Sequence, residues 1–246
     1  MSGPDSSRPA GWRREKAAPV QEPLTLDRIV AAAIDLVDRE GLDALSMRRL
    51  GTELNVGATT LYWHVKNKDE LLDLAIDHIL GAIPAPDPAL SWREQLRRLA
   101  VDTRRVLIRH RNLIMVLATR PTTGPNAIAS IDRLFGVVRR AGFEGRALVL
   151  AALALLNYAS GYSVLEAAGL SVFGSDVDEA TVRQRLRENS EQVMAFIETL
   201  PDGQFPDLQL VARNLLETDD DARFAYGLER LLDGLEADLA TTRAPA

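Results

Sequence analysis

Hydrophobic residues recur at helical spacing along almost the whole chain, and none of its segments shows the alternation that is typical of strands. The first such segment, residues 25–40, has Thr25 as its expected N-cap and Gly41 as its expected left-handed terminating residue. Its inward positions are Ile29, Ala33, Leu36 and Val37. The pattern predicts an all-α protein.

Two short helices separated by a turn follow the first helix. Ser46 is the expected cap of a helix that runs through Leu54, and Asn55-Val56-Gly57 forms a short turn into a helix over residues 58–64. This is a helix-turn-helix arrangement. Asn67, with Glu70 three residues later, is expected to cap a further helix that ends at Pro84, Pro86 and Pro88. Residues 25–83 therefore form a predicted helix-turn-helix domain built on three helices and closed by this fourth one.

A larger helical domain is predicted for residues 91–242, beyond the proline-rich break. Its most apolar segments are Ala147–Ala168 and Ala222–Leu239. Two helices as apolar as these either pack across a dimer interface or form the core of one monomer, and periodicity alone leaves both alternatives open.

Composition narrows the classes of function. The chain of 246 residues has no cysteine, which excludes disulfides and cysteine-ligated metals. A net charge of −6 argues against bulk electrostatic binding of nucleic acid, so any DNA binding must be local. Residues 46–68 do form a basic island, with four Lys or Arg residues against Glu53 alone. The first 24 residues lack the apolar core of a signal peptide, and the longest unbroken apolar run, residues 147–156, is too short for a membrane span. A cytoplasmic protein without membrane contact is expected.

The segment over residues 58–64 has the properties of a DNA-reading helix. Leu61 and Val65 face inward at a spacing of four, which leaves the neighbouring aromatic residues Tyr62 and Trp63 exposed. Arg48, in the first turn of the preceding helix, is placed to contact a guanine edge. Lys68 lies at the positive end of the next helix, which is a natural phosphate site. Each residue taken singly also fits an ordinary solvated surface.

Two stretches make the chain recognisable: Leu45-Ser46-Met47-Arg48-Arg49-Leu50, and Thr60-Leu61-Tyr62-Trp63-His64-Val65-Lys66-Asn67-Lys68 with Leu71-Leu72-Asp73 after it. They resemble the DNA-binding domain of the tetracycline repressor (TetR) family. The resemblance continues through His110-Arg111 and Thr119-Arg120-Pro121-Thr122 and covers nearly everything except the first 24 residues. It implies a homodimeric transcriptional repressor that binds a palindromic operator and is released by a small molecule.

The resemblance also implies roles for individual residues. Arg48 would read a guanine, Thr59 and Thr60 would meet base edges, and the phosphate backbone would be held by Ser46, Tyr62, Trp63, His64 and Lys68. Thr59 stands where the tetracycline repressor has proline, and Gly57-Ala58 replace larger base-reading residues. The binding mode should therefore be shared with the family while the operator sequence differs.

For the ligand, the resemblance points to Thr119, Arg120, Asp132, Asn157 and Glu166. Val116 stands where a metal-binding imidazole would be needed, which disfavours a magnesium–tetracycline ligand. No cofactor or metal is expected. Apolar residues including Met115 and Tyr158 favour a larger apolar ligand, although side chains of this kind are more often simply core.

The polar, proline-rich segment of residues 1–24 is predicted to be a flexible basic arm. Basic arms of this kind enter an adjacent minor groove, and the candidate residues are Arg8, Arg13, Arg14 and Lys16. An inert tail is the alternative. Two other functions are possible for the whole chain. One is a helical enzyme or ligand carrier, which is disfavoured because no nucleophile–base pair, metal cluster or phosphate loop is visible in the sequence. The other is a protein-interaction module that docks through Tyr62 and Trp63.

Overall fold

The computed structural model describes residues 23–120, 122–171, 179–201 and 203–243, which form eleven α-helices and no strand. The predicted basic arm, with Arg8, Arg13, Arg14 and Lys16, lies outside the described residues. The prediction of an all-α fold is confirmed. The helices are α1 (Leu26–Glu40), α2 (Met47–Glu53), α3 (Ala58–Leu61), α4 (Lys68–Gly81), α5 (Trp92–Arg109), α6 (Arg111–Thr119), α7 (Pro125–Ala141), α8 (Gly145–Ser171), α9 (Glu179–Glu198), α10 (Pro206–Glu217) and α11 (Asp220–Arg243).

Side-chain caps fix where the first helices begin. The hydroxyl of Thr25 accepts from the backbone N–H of Arg28, and Ser46 and Asn67 cap α2 and α4 in the same way. Each cap satisfies a backbone donor that the first turn of a helix leaves unpaired. The predicted caps are confirmed. Gly41 differs in detail from the prediction, because its φ of 84° and ψ of 168° lie outside the left-handed helical region.

The helix-turn-helix is built around a close contact between α2 and the turn that follows it. Asn55 adopts a left-handed φ of 55°, and the N–H of Val56 donates to the carbonyl of Gly51 at 2.8 Å. This turn brings α3 directly across the buried face of α2. A Cβ on Gly51 would lie 2.8 Å from the carbonyl oxygen of Val56, so only glycine fits there.

We expect Gly51→Ala to destabilise the protein by roughly 1–3 kcal/mol, because the backbone atoms facing the new methyl group cannot move without separating α2 from α3. Thermal unfolding of the purified variant measures the effect. Gly136→Ala is the matched control, since a Cβ on this helical glycine meets only the flexible end of Arg140. Equal melting temperatures for Gly51→Ala and the wild-type protein would contradict the described contact.

The larger domain is organised around α5, which packs against α7, α8 and α11. The core between these helices contains large apolar side chains, among them Leu96, Leu134, Val137, Leu155, Phe224, Leu228 and Leu232. Helices α8 and α11 extend slightly beyond the two predicted apolar segments. They approach closely where the hydroxyl of Tyr158 donates to the carbonyl of Phe224 at 2.7 Å.

The two domains share structure at α6. Leu113 and Val116 of this helix are buried in the same cluster as the inner faces of α1 and α4. The amide of Asn112 donates to the carbonyl of Val37, at the end of α1, and the ring of His110 lies 2.7 Å from the carboxylate of Asp38. Helix α6 therefore belongs to the core of the first domain as much as to the second.

Arginines on α5 hold α11 through shared carboxylates. Arg97 donates to both oxygens of Glu229, at 2.5 and 2.9 Å, and Arg93 donates to the same carboxylate at 2.8 Å. These hydrogen bonds, first that of Arg97, lower the pKa of Glu229 from its usual 4.5 to about 2.

Glu229→Gln is expected to lower the free energy of unfolding by about 1 kcal/mol at pH 7, the upper range for partly exposed ion pairs. Because the pKa is depressed in the folded state, this stabilisation is present above pH 4.5 and is lost as the pH falls towards 2. Urea unfolding at several pH values should show the two proteins converging across that interval. Glu236→Gln, which removes a more exposed carboxylate beside Arg93, is the control and should have a smaller effect. A constant difference down to pH 2 would contradict the assignment.

Candidate DNA-binding surface and ligand cavity

The helix-turn-helix presents two aromatic side chains to solvent. Trp63 is 85% exposed and Tyr62 is 53% exposed, whereas Leu61 and Val65 are buried beneath them. The buried pair packs in one core with side chains of α1 and α4, and the aromatic pair is not part of that core. A rigid, exposed aromatic pair of this kind is unusual for ordinary surface.

Helix α3 is shorter than predicted. The helix ends at Leu61, and residues 62–64 continue as a tight turn in which the N–H groups of Trp63 and His64 donate to carbonyls three residues back. Bonds at this shorter spacing narrow the last turn of a helix, and the sequence pattern does not distinguish them from a regular turn. The side chains of Thr59, Thr60 and His64 are exposed on this segment.

Two neighbouring arginines on α2 have different surroundings. Arg49 donates to Glu40 at 2.7 Å and to Glu53 at 2.8 Å, which ties α2 to the end of α1. Arg48 is exposed and forms no ion pair with any residue that the structure describes. Of the two guanidinium groups, that of Arg48 is the one available to a ligand outside the protein.

The remaining predicted phosphate contacts sit at helix ends. Ser46 is exposed at the start of α2, where its hydroxyl already accepts from the N–H of Arg49 and keeps its own hydrogen to donate. Lys68 is half-buried at the start of α4, and its Nζ donates to the carbonyl of Leu42 at 3.2 Å. That bond uses one of three ammonium hydrogens. Both groups remain compatible with a phosphate contact.

An apolar cavity of about 300 Å³ lies in the second domain, between α4, α5, α7 and α8. Its walls are mostly aliphatic, and no charged side chain lines it. Five polar side chains reach it, those of Thr103, Thr122, Ser130, Asn157 and Ser160. The hydroxyl of Ser130 is buried and has no hydrogen-bond partner among the described residues. An unpaired hydroxyl at an apolar wall is a ready anchor for a polar group of a ligand.

Of the seven predicted ligand contacts, only Asn157 lines this cavity. Met115 and Asp132 are exposed, Thr119 donates to the carbonyl of Met115, and Tyr158 is turned towards α11. Two charged residues are held by other partners: Arg120 by Asp69 and Asp73 of α4, and Glu166 by Arg104 of α5. Sequence reasoning missed Ser130, although a serine beside Ala127, Ile131 and Leu134 on the inward face of α7 was a usable signal.

The position that would need a metal-binding imidazole, Val116, is buried in the apolar core of the first domain. Among the described residues, no three His, Asp or Glu side chains come together in a way that could hold a metal ion.

A carboxylate of α4 caps the first turn of α7. The carboxylate of Asp77, on α4, accepts from the backbone N–H of Ala127 at 2.9 Å and from that of Asn126 at 3.3 Å, at the start of α7. A Cβ on Gly124 would clash with the same carboxylate. The first turns of α7 also carry Ala127, Ser130 and Ile131 of the cavity wall, so hydrogen bonds join this part of the wall to α4.

A helix-turn-helix that exposes an aromatic pair and an arginine without an ion pair among the described residues, joined through α4 to an apolar cavity, defines a ligand-responsive DNA-binding regulator. The comparisons with known proteins agree. Residues 29–75 match the family of bacterial regulatory proteins, tetR family, and residues 85–239 match the tetracyclin repressor-like C-terminal domain. The chain belongs to the TetR family, and it is a transcriptional repressor that binds operator DNA as a homodimer and responds to a small molecule.

Several relatives are similar over most of their length. An HTH-type transcriptional regulator of Saccharopolyspora erythraea is 41% identical over 197 residues, which is 79% of this chain and 80% of that protein. The HTH-type transcriptional repressor DrrR1 of Streptomyces coeruleorubidus is 34% identical over 224 residues, covering 89% and 80% of the two chains. Crystallised ActR of Streptomyces coelicolor in complex with actinorhodin has a TM-score of 0.74 at 33% identity, covering 89% of this chain and 99% of that one. These matched proteins are transcriptional regulators and not enzymes.

Proposed function

We propose that Arg48 and the segment from Thr59 to His64 read and hold the operator, and that an uncharged, largely apolar small molecule in the cavity releases it. The observation that carries this proposal is that Arg48 forms no ion pair with a described residue while Tyr62 and Trp63 are exposed on a segment anchored from beneath. Arginine forms two parallel hydrogen bonds to a guanine edge, and exposed aromatic and hydroxyl side chains reach the adjacent phosphates.

The walls of the cavity indicate the chemistry of the effector. Since no charged group lines it, a charged ligand would lose its hydration without compensation. Ser130 and Asn157 offer a hydroxyl and an amide at the wall, which suits a ligand that carries hydroxyl or carbonyl groups on an apolar frame. The similar protein ActR has been solved in complex with actinorhodin and with (S)-DNPA, which supports a small organic molecule as the effector of this chain.

The proposed route from effector to operator runs through α7 and α4. A ligand that contacts Ser130 and Ile131 would displace the start of α7, which is hydrogen-bonded to Asp77. Helix α4 carries Lys68 at its other end, beside the DNA-reading segment. A shift of α4 in both protomers would change the spacing of the two reading segments, which must match successive major grooves.

For the homodimer we propose an interface that includes the outer face of α8. By length and composition alone this helix could cross a membrane, and it is the one such helix in the described part of the chain. Its inner face packs in the core and contains Ser163 and the ion-paired Glu166. Its outer face exposes Val149, Leu150, Leu153 and Leu165, which a second protomer would cover. The proposed site of action is the cytoplasm.

A selection of genomic fragments by the purified protein tests the function. We expect enrichment of one or a few sites with near-palindromic half-sites about 10 base pairs apart, the spacing of one helical turn. The variant Trp63→Ala should lose the enrichment, and Trp92→Ala, which changes a half-buried tryptophan on α5, is the control. Recovery of random fragments by the wild-type protein would reject the proposal.

A further inference from the structure

A second concave surface, the α5–α11 groove, lies on the other side of α5 from the apolar cavity and shares no lining residue with it. It encloses about 700 Å³. The groove is lined by five arginines, Arg97, Arg104, Arg105, Arg109 and Arg111, against three carboxylates, Glu166, Asp221 and Glu229. Its chemistry is therefore opposite to that of the uncharged cavity.

The three carboxylates are already engaged. Glu166 accepts two hydrogen bonds from Arg104, at 2.7 and 2.9 Å, and Asp221 lies 2.7 Å from the same guanidinium. Glu229 is held by Arg97. These pairs neutralise one part of the groove and fix its walls, since they join α5 to α8 and α11.

Arg105 is paired with Asp102, one turn back on α5, which leaves two of the five arginines at the other end. Arg109 and Arg111 form no ion pair with any residue in the described part of the chain. The Nε of Arg111 is buried and lacks a hydrogen-bond partner among those residues. A buried guanidinium nitrogen without an acceptor is costly, because it has lost water without a replacement. This donor, which has no acceptor among the described residues, could be satisfied by the anionic group of a bound molecule.

The middle of the groove is apolar. Val101, which is 36% exposed, and Ile108 line one wall on α5, and Phe224, Ala225 and Leu228 line the other on α11. Phe224 itself is only 2% exposed, and the guanidinium carbon of Arg104 lies 4.9 Å from the centroid of its ring, so a ligand would meet the aliphatic side chains of the groove and not this ring. An apolar middle next to unpaired arginines fits a molecule with a hydrophobic ring and an anionic group.

We propose that the α5–α11 groove is a second ligand site, which takes an amphipathic organic anion, a carboxylate or sulfonate attached to a ring system. The anionic group binds Arg109 and Arg111, and the ring lies against Val101, Ile108 and Ala225. Since the α5–α11 groove and the apolar cavity share α5, an anion in the groove and an uncharged effector in the cavity act on the same helix.

Equilibrium dialysis of the purified homodimer with two probes tests this site. The probes are 8-anilinonaphthalene-1-sulfonate, which is anionic, and N-phenyl-1-naphthylamine, which has the same rings without the sulfonate. The double variant Arg109→Ala/Arg111→Ala should weaken the sulfonate at least about 10-fold, as expected for lost charge-assisted hydrogen bonds, and leave the neutral probe unchanged. The control Arg139→Ala/Arg140→Ala removes two exposed arginines from α7 and should change neither probe.

Three outcomes would overturn the proposal. The first is unchanged affinity for the sulfonate in the double variant, and the second is an equal loss of both probes, which shows that the two arginines do not recognise the anionic group. The third is a dimer that dissociates in the double variant while sulfonate binding per protomer persists, which assigns the groove to the subunit interface. If the double variant does not fold, Arg109→Glu, at an exposed position, is expected to weaken the sulfonate selectively.

Discussion

Arg48→Ala should lower the affinity for the operator by about 10- to 100-fold, because the variant loses one bidentate arginine–guanine contact. The variant should fold normally, because the side chain is exposed and makes no ion pair within the described residues. A fluorescence anisotropy titration with the isolated operator measures the affinity, and thermal unfolding confirms that the fold is intact. Arg48→Lys keeps the charge and should lose mainly the discrimination at one base pair.

Arg49→Ala is the matched control for Arg48, since the two arginines are adjacent on α2. The guanidinium of Arg49 is committed to Glu40 and Glu53, so its removal should lower the melting temperature while operator affinity stays within a few-fold. If the two variants lost affinity equally, the binding would depend on the charge of α2 and not on base reading by Arg48.

Ser130→Phe should produce a repressor that stays on its operator at effector concentrations that release the wild-type protein. The phenyl ring would occupy a large part of the cavity of about 300 Å³, because the serine hydroxyl already lines its wall. Operator affinity without effector is measured in parallel, because a ring that displaced α7 by itself would lower this affinity through Asp77 of α4. The measurement is the release of a labelled operator on addition of cell extracts or candidate effector compounds.

Two substitutions sharpen the Ser130 prediction. Ser130→Ala removes the unpaired hydroxyl without filling space, and it should weaken the effector by roughly 10-fold or less, as for one lost hydrogen bond. Asp132→Phe places the same ring on an exposed position two residues away and should leave release unchanged. Normal release in Ser130→Phe would place the effector somewhere other than the cavity.

The sequence was sufficient for the features set by local rules. The caps Thr25, Ser46 and Asn67 depend only on residues within one turn, and the structure confirms all three. The inward positions of Leu61 and Val65 follow from helical spacing in the same way. The exposure of Tyr62 and Trp63 was predictable because that spacing places neither residue on the inward side of the segment.

Features set by tertiary neighbours were not predictable from the sequence. The difference between Arg48 and Arg49 depends on Glu40, which belongs to another helix. The predicted ligand contact Arg120 is paired instead with Asp69 and Asp73, because the end of α6 lies against α4. The periodicity of the sequence does not show which carboxylates form ion pairs with which arginines on other helices.

The central claim, that the helix-turn-helix surface reads a specific DNA sequence, is tested most directly by one titration. The purified protein is titrated against its selected operator and against a scrambled duplex of the same composition, at several salt concentrations. We predict binding of one homodimer per operator, at least about 1,000-fold tighter than to the scrambled duplex, with affinity falling as salt rises. Equal affinity for the two duplexes at every salt concentration would contradict it.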